Sequence, residues 1–375
     1  MIDIEWSAGP PMPQGMQDND GGVIDDFLVM VAGFCHGIDD DWKPGKYPRG
    51  FLRKGWALNF KEEAAGWNPV PDLPGAARQE MYGLSVNNEI YLWGGFSYTE
   101  PYCYRDGYKL ARPGGEWTWS ELPPLLRPGS AGTIVAVDSV IYLLGGMDYD
   151  AQRYYVANDR HGKTERYGSR LYRFETERPE KGWKEVAPCP GTPRMMAAGG
   201  VIDGKVYIMG GFAVDDAGRS HNVVDCWRYD PEADHWERLR DTPVSVSGYS
   251  TGTIVYQNRY MLLLTGYPHG TILNPDGTSR PRYGTPSKID RTDWKGHPKV
   301  PADGYENHAW VYDAHTNLYG TATYLPFDDH GQTSHIIGDT LYMFPGETSG
   351  FWWEDEYFGH AAEFVLKGKL KVRND

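Results

Sequence analysis

The amino-acid sequence predicts an all-β protein built from six copies of one four-stranded antiparallel unit. Two observations support this class. The 375 residues combine 14 % aromatic residues with 46 Gly and 27 Pro, which pairs strand-forming residues with turn-forming ones. In addition, a hairpin pattern that ends in a glycine pair recurs about every 50 residues, a period typical of radial or solenoid arrays.

The hairpin pattern is clearest in residues 198–212, AGGVIDGKVYIMGGF. An Asp-Gly pair between two apolar runs is a strong hairpin signal, because glycine accepts the positive φ that a tight primed turn requires. The turn pairs of the six copies are Asp25-Asp26, Asn87-Asn88, Asp138-Ser139, Asp203-Gly204, Asn258-Arg259 and Gly338-Asp339. The second strands end at Ala32-Gly33, Gly94-Gly95, Gly145-Gly146, Gly210-Gly211, Thr265-Gly266 and Pro345-Gly346.

Two further marks accompany each hairpin. An anchor residue, a tryptophan in all but one copy, precedes it: Trp6, Trp67, Trp119, Trp183, Trp236 and Leu318. A turn that contains proline follows five of these anchors, as in PPMP at 10–13 and PDLP at 71–74. We therefore expect each copy to place its anchor on an outer strand, just before the chain enters the next copy.

These marks resemble the Kelch family of β-propellers, whose repeat carries a Gly-Gly pair and spaced Tyr and Trp residues. The later strands of the repeat are clearest at 227–230 (WRYD) before Trp236 and at 310–313 (WVYD) before Leu318. The resemblance implies six blades around a central channel. Residues 362–366 look like a third strand without a fourth, and residues 2–6 like a fourth strand alone. Their pairing would close the ring and make residues 1–375 a single domain.

The length of the chain between glycine pair and anchor varies among the copies. This variable segment contains the loop between the second and third strands, which leaves the sheet on the same face as the links between blades. We expect function to concentrate there, because loops on a rigid scaffold carry most binding residues. The longest insertion, about 267–308, is rich in Pro, Gly and charge. It would either arch over the channel mouth or form a surface excursion.

Arginines occur where the first strand of a copy begins, near the expected channel mouth. Arg78 and Arg194 share one register position with Tyr249, and Arg127, His330 and Gln332 lie close to it. In Kelch propellers this neighbourhood commonly lines the pocket, so converging arginines would bind a carboxylate, sulfate or phosphate. The alternative is that these arginines form ion pairs that stabilise the blades.

The segment 346–360, GETSGFWWEDEYFGH, mixes acids with aromatic rings in the corresponding loop of the sixth copy. Aromatic faces beside carboxylates suit a sugar, and Trp352 would provide such a face. Glu347, Glu356 and His360 are candidate acid–base groups, and His330 is a further candidate base. The alternative is a packed loop whose acids face water.

Composition excludes several other classes. The net charge of −14 disfavours nucleic acid and anionic membranes as partners. The four cysteines lie far apart and indicate neither a zinc site nor a disulfide framework. No apolar run long enough to span a membrane and no leader pattern is visible, so we expect a cytoplasmic protein.

Two metal sites known in related propellers match poorly, so no metal or cofactor is expected. The spacing of Glu356 and His360 matches two of three ligands in the iron motif of some plant Kelch proteins, but Trp352 replaces the third. The copper site of galactose oxidase, a larger Kelch propeller enzyme, needs a Tyr-His pair that this chain lacks.

A six-bladed Kelch chain of this length resembles the sialic acid mutarotase family. The resemblance implies an enzyme of the mutarotase or epimerase type that acts on a small acidic sugar by general acid–base chemistry. A lyase that acts on uronic or sulfated sugars would be expected to show the same arginines, acids and aromatic residues. The main alternative is a binding module that holds a protein or a glycan without catalysis.

Overall fold

All six predicted turn pairs lie at the tips of β-hairpins in the computed structural model. Asp203 (φ 50°) and Gly204 (φ 69°) both have left-handed backbones, as do Asn87 (φ 52°) and Asn88 (φ 63°). Two successive positive φ values define the primed turn that suits the twist of paired strands. The hairpin prediction is therefore confirmed.

The structure describes residues 2–37, 49–162, 164–243, 246, 249–266, 271–281, 306–326, 331–344, 346–353, 356–361 and 363–373. Side chains are described within these ranges except at 249–253, 265, 281, 306–308, 348–353 and 356–361. Of the predicted insertion at 267–308, only residues 271–281 and the backbone of 306–308 are therefore described.

Each hairpin forms the first two strands, a and b, of an antiparallel sheet whose strands c and d follow outward. Blade 1 contains Asp20–Ile24, Phe27–Val31, Gly55–Asn59 and Trp67–Val70; blade 2 contains Tyr82–Val86, Glu89–Trp93, Gly107–Ala111 and Thr118–Leu122. Blade 3 contains Thr133–Val137, Val140–Leu144, Leu171–Glu175 and Lys184–Val186; blade 4 contains Ala198–Ile202, Lys205–Met209, Cys226–Asp230 and His235–Arg238. Blade 5 contains Val255–Tyr256, Tyr260–Gly266, Glu306–Asp313 and Leu318–Thr321; blade 6 contains Gln332–Ile337, Thr340–Phe344, Leu366–Val372 and Ile2–Ala8. The chain is a six-bladed β-propeller, as predicted.

The outer strand of blade 6 comes from the other end of the chain. Ile2–Ala8 pairs antiparallel with Leu366–Val372, and Trp6 stands opposite Gly368. The expectation that residues 362–366 form the third strand was wrong, because that strand begins only at Leu366. Leu366 and Leu370 point into the core, and lysines alternate with them along the strand.

The b–c loops contain short paired strands, and these loops lie on the face where function was expected. They are Phe34–Cys35 with Gly50–Phe51, Asp148–Tyr149 with Tyr154–Tyr155, Phe212–Val214 with Ser220–Asn222, Thr271–Leu273 with Ser279–Pro281, and Glu347–Trp353 with Glu356–Ala361. Tyr249–Thr253 runs parallel to the first strand of blade 6. Short 3-10 turns occupy Glu63–Ala65, Pro113–Gly115, Tyr167–Ser169 and Pro179–Lys181. Within the described residues, no helix is long and apolar enough to cross a bilayer.

The anchor tryptophans and the proline turns form one repeated contact between blades. The indole N–H of Trp67 donates to the carbonyl oxygen of Pro10 at 3.0 Å, and that of Trp119 donates to Pro71 at 2.9 Å. Trp236 donates to Ala187 at 2.8 Å, and Trp6 donates to Tyr324 at 2.9 Å. Each bond joins an outer strand to the link of the preceding blade, which explains why the two marks recur together.

The glycine pairs allow the backbones of neighbouring blades to approach closely. The second glycine donates its N–H to the entrance of the next blade: Gly95 to Gly129 at 2.9 Å, and Gly146 to Arg194 at 3.0 Å. The first glycine has a left-handed backbone, and a Cβ on Gly94 would lie 2.3 Å from the carbonyl oxygen of Gly129. The pairs are therefore part of the ring's framework, as the repetition suggested.

Candidate functional site

A series of backbone hydrogen bonds runs along the channel mouth, just before the first strands of blades 1 to 4. Glu80 N–H donates to the carbonyl of Asp18 at 3.0 Å, Ala131 N–H to Glu80 at 3.1 Å, and Met196 N–H to Ala131 at 2.7 Å. These four residues have φ values of 48°, 50°, 57° and 50°, a left-handed conformation that non-glycine residues rarely adopt. Such strain clusters at functional sites. In blades 1 and 2 the residue in this position is an acid.

The carboxyl of Asp18 is buried among amides and has no cationic partner among its hydrogen bonds. Its Oδ2 accepts the side-chain N–H groups of Gln17 at 2.9 Å and Gln79 at 3.2 Å. The Oδ1 atom makes no hydrogen bond and lies against Gly331, where a Cβ would come within 2.2 Å of it. Burial raises the pKa of Asp18 to about 7, although the bond from Gln17 opposes the shift.

Glu80 is the second carboxyl of the mouth and belongs to the neighbouring blade. Burial, with the charges of Asp18 and Asp20, raises its pKa well above the usual range, while a hydrogen bond from Ser130 opposes the shift. A raised pKa favours the protonated form of this carboxyl. Asp18 and Glu80 therefore form a pair in which one group can donate a proton and the other, with a pKa near neutrality, can accept one.

These carboxyls line a cavity of about 460 Å³, which we call the mouth cavity. Its other walls come from the b–c loops of blades 1, 2, 3, 4 and 6, so it opens on the face predicted to carry function. Phe34, Tyr98 and Tyr154 form an aromatic side, and Met195, Met196 and Phe212 form an apolar side. A cavity of this size with a few convergent polar groups suits a small organic ligand.

The aromatic side is held in place by other rings. Tyr98 packs edge-on against Phe51 with 4.8 Å between ring centroids, and Tyr154 stacks on Tyr149 at 5.2 Å. Tyr98 is nevertheless 53 % exposed. Fixed and exposed rings at a cavity rim can pack against the C–H face of a ligand without first losing side-chain freedom.

The basic side chains of the mouth cavity come from the first b–c loop. Arg49 lines the cavity, and so does His36, whose Nε2 is hydrogen-bonded to Oε1 of Gln17. Because Gln17 also donates to Asp18, these side chains form a continuous hydrogen-bonded chain from the imidazole to the carboxyl. Glu347, a predicted catalytic residue, lines the same cavity.

The structure contradicts the expectation that Arg78 and Arg194 line the mouth. Both side chains are 1 % exposed and turn back into their own blades. Arg78 pairs with both carboxylate oxygens of Asp106, at 2.6 and 2.9 Å, and Arg194 is ion-paired with Asp225. Both arginines also donate to the first glycine of their own pair, at 3.1 Å in each case. They satisfy buried groups of the framework, which is the alternative that the sequence had left open.

The remaining predicted binding residues are dispersed. Arg127 lies 3.8 Å from Asp159 and lines a separate small cleft beside Trp183. Gln332 is fully buried, and its side-chain N–H donates to Leu264 at 3.3 Å. Tyr249 and Trp352 lie on short strands whose side chains are outside the described set.

The other predicted catalytic residues cannot be placed in the cavity. Glu356 and His360 belong to the strand Glu356–Ala361, and their side chains are not described. His330 lies outside the described residues. Among the described residues, no three His, Cys, Asp or Glu side chains come together as a possible metal site.

Sequence reasoning missed Asp18 and Glu80, although a signal was present. Gln17-Asp18 and Gln79-Glu80 occupy the same register position in consecutive copies. The repeat pattern explains why Trp, Pro and Gly recur, but it does not explain why a Gln followed by an acid recurs. The recurring Gln-acid pair could therefore have indicated the functional site.

Comparisons with known proteins agree with this fold and indicate a group of relatives. The family model described as N-acetylneuraminate epimerase matches residues 162–274. N-acetylneuraminate epimerase 1 of Escherichia coli O6:H1 is 29 % identical over 276 residues, which cover 71 % of this chain and 62 % of that relative. The N-acetylneuraminate epimerase of Haemophilus influenzae (strain PittEE) is 33 % identical over 93 residues, 24 % of this chain and 25 % of that protein.

A solved structure described as "Structure of YjhT" superposes with a TM-score of 0.63, at 13 % sequence identity. The superposition covers 97 % of this chain and 99 % of the other. At this identity the match supports the fold alone. The chain spans less than two thirds of its first relative's length. It is a six-bladed β-propeller whose sequence is similar to the N-acetylneuraminate epimerases.

Proposed function

We propose that this protein is a mutarotase that interconverts the anomers of a small acidic sugar in the mouth cavity. The observation that carries the proposal is the pair of buried acids, Asp18 and Glu80, which line the mouth cavity from adjacent blades. The names of the relatives point to N-acetylneuraminate as the first substrate to test.

The chemistry requires two proton transfers. Opening the sugar ring needs a proton on the ring oxygen and the loss of a proton from the anomeric hydroxyl; closure on the other face reverses both steps. Glu80, whose raised pKa favours the protonated form, would protonate the ring oxygen. Asp18, with a pKa of about 7, would accept the hydroxyl proton. After rotation about the bond to the anomeric carbon, each group returns to its starting state.

The other walls would hold the sugar. Arg49 is positioned to attract the substrate carboxylate, because guanidinium and carboxylate form paired hydrogen bonds. Tyr98 and Tyr154 would cover the apolar face of the ring. Glu347 is a further polar contact, and the predicted roles of Glu356, His360, His330, Tyr249 and Trp352 stay proposals for the same face.

The test is anomer exchange followed by NMR, with N-acetylneuraminate and several uronates. Faster exchange that is lost in Glu80→Gln supports the mutarotase. Binding of a sugar without faster exchange would instead indicate the binding module. The expected cytoplasmic location is a separate proposal, tested by cell fractionation.

A further inference from the structure

One position on the inner strands connects neighbouring blades through a side chain. Two residues beyond the left-handed position, Thr133 of blade 3 donates its hydroxyl to the carbonyl of Ala197 at 2.9 Å. The equivalent Thr333 of blade 6 donates to Asn19 at 2.8 Å. A hydroxyl at this position therefore links two blades by donating to a backbone carbonyl.

Blade 1 has an acid, Asp20, at this position. Its Oδ2 accepts the backbone N–H of Met81, which directly follows Glu80, at 2.8 Å. The preceding N–H, that of Glu80, donates to the carbonyl of Asp18. Two consecutive N–H groups of blade 2 are thus held by two acidic residues of blade 1, and this arrangement fixes the direction in which the Glu80 side chain leaves the backbone.

The second carboxylate oxygen of Asp20 lies against a surface that provides no hydrogen-bond donor for it. Asp20 is fully buried, and its Oδ1 makes no hydrogen bond. It lies over Gly83, where a Cβ would come within 3.0 Å of Asp20 Cβ and 3.3 Å of Oδ1. A neutral acceptor would also satisfy the Met81 N–H, so a link between blades does not by itself explain why an acid is buried here with a free oxygen.

Asp20 is a third buried acid, and its charge acts on Glu80. Burial raises the pKa of Asp20 well above its usual range; the Met81 N–H opposes this, and the charge of Asp18 adds to it. The other described titratable or charged groups of the cavity and of the adjoining strand of blade 2 are His36, Arg49, Tyr82, Tyr98, Tyr154 and Glu347. The charges of Asp18 and Asp20 both raise the pKa of Glu80, so ionisation of all three carboxyls is unfavourable.

We propose that Asp20 is a positioning residue that orients Glu80 and keeps the Glu80 carboxyl protonated for its role as the acid. This inference rests on the proposed mutarotase function. Asp20 need not touch the substrate. It acts through the backbone of Met81 and through its charge, which raises the pKa of Glu80.

The test compares the pH dependence of anomer exchange in Asp20→Asn, Asp20→Thr and Thr133→Val. Asn keeps an acceptor for Met81 without a charge, and Thr is the residue that blades 3 and 6 use. We expect both Asp20 variants to fold and the alkaline limb of the rate to move down by about one pH unit. Thr133→Val should lose stability and keep the wild-type profile. An unchanged profile in both Asp20 variants would overturn the proposal and leave Asp20 as a structural link.

A second readout does not depend on activity. The infrared C=O stretch of protonated carboxyls, assigned to Glu80 by its loss in Glu80→Gln, should titrate about one pH unit lower in Asp20→Asn than in wild type. An unchanged midpoint would contradict the role of Asp20 whether or not the protein moves sugar anomers. Absent anomer exchange together with a shifted midpoint would refute the mutarotase alone.

Discussion

The backbone N–H of Glu80 donates to the backbone carbonyl of Asp18 at 3.0 Å across the junction of two blades. This bond places two buried acids at the same level of the channel mouth. Neither acid forms a salt bridge within the described residues, whereas the framework acids Asp106 and Asp225 are each paired with an arginine. The acids of the mouth therefore lack the arginine partners that the acids of the framework have.

Removing either acid should abolish catalysis while preserving the fold. For Glu80→Gln and Asp18→Asn we expect a fall in kcat of about 10²-fold or more, which is the usual contribution of a general acid or base. The side-chain amides keep the size of the acids they replace. Glu232→Gln, at an exposed acid, is the matched control and should retain the wild-type rate. If both cavity variants kept the wild-type kcat, neither acid would have a role in the proposed mechanism.

The arginines of the framework should matter for stability rather than affinity. Arg194→Ala leaves Asp225 buried without its partner, so we expect a loss of about 3–5 kcal/mol in the free energy of unfolding. Arg78→Ala should cost less, because Asp106 is 39 % exposed and water can replace part of the interaction. Chemical denaturation measures both. A large loss of sugar affinity with unchanged stability would indicate instead that the arginines bind the sugar.

The buried acids should make the protein less stable as pH rises. Asp18 has a folded-state pKa of about 7, above the value near 4 expected in the unfolded chain. Between these values the unfolded state releases a proton that the folded state keeps, so the free energy of unfolding falls by up to about 1.4 kcal/mol per pH unit. Asp18→Asn should flatten this decline between about pH 4 and 7. An identical slope in wild type and variant would mean that Asp18 is ionised in the fold.

Two glycines with nearly equal backbone conformations should lose different amounts of stability when they are replaced by alanine. Gly204 (φ 69°) has no atom near an added Cβ, whereas at Gly210 (φ 66°) the Cβ would lie 2.4 Å from the Val246 carbonyl oxygen. Gly204→Ala should cost about 1–2 kcal/mol for the left-handed backbone alone. Gly210→Ala should cost about 1–3 kcal/mol more, because the blades must separate. Equal losses of stability would show that the glycine pair serves only the backbone conformation.

The repeat framework could be predicted from sequence because each of its marks has a local physical reason. The pair Asp203-Gly204 indicates a turn. Trp67 and the turn at Pro10 together indicate a contact between blades. The third strand of blade 6 was misplaced because lysines alternate with its apolar residues.

The site was harder to predict than the framework. Arg78 and Gln79 are adjacent in sequence, yet one turns into its blade and the other into the cavity. Register identifies the level of a residue on the axis but not the direction of its side chain. That direction depends on the left-handed backbone at Glu80 and on Asp106, a partner from a later segment of the blade.

The central claim is that the mouth cavity catalyses anomer exchange of an acidic sugar through Glu80 and Asp18. Exchange NMR on N-acetylneuraminate near pH 7 tests it most directly. The account predicts that wild-type protein accelerates exchange and that Glu80→Gln, folded and of normal stability, does not. Acceleration that is equal in wild type and Glu80→Gln, or absent from wild type with every acidic sugar tried, would contradict it.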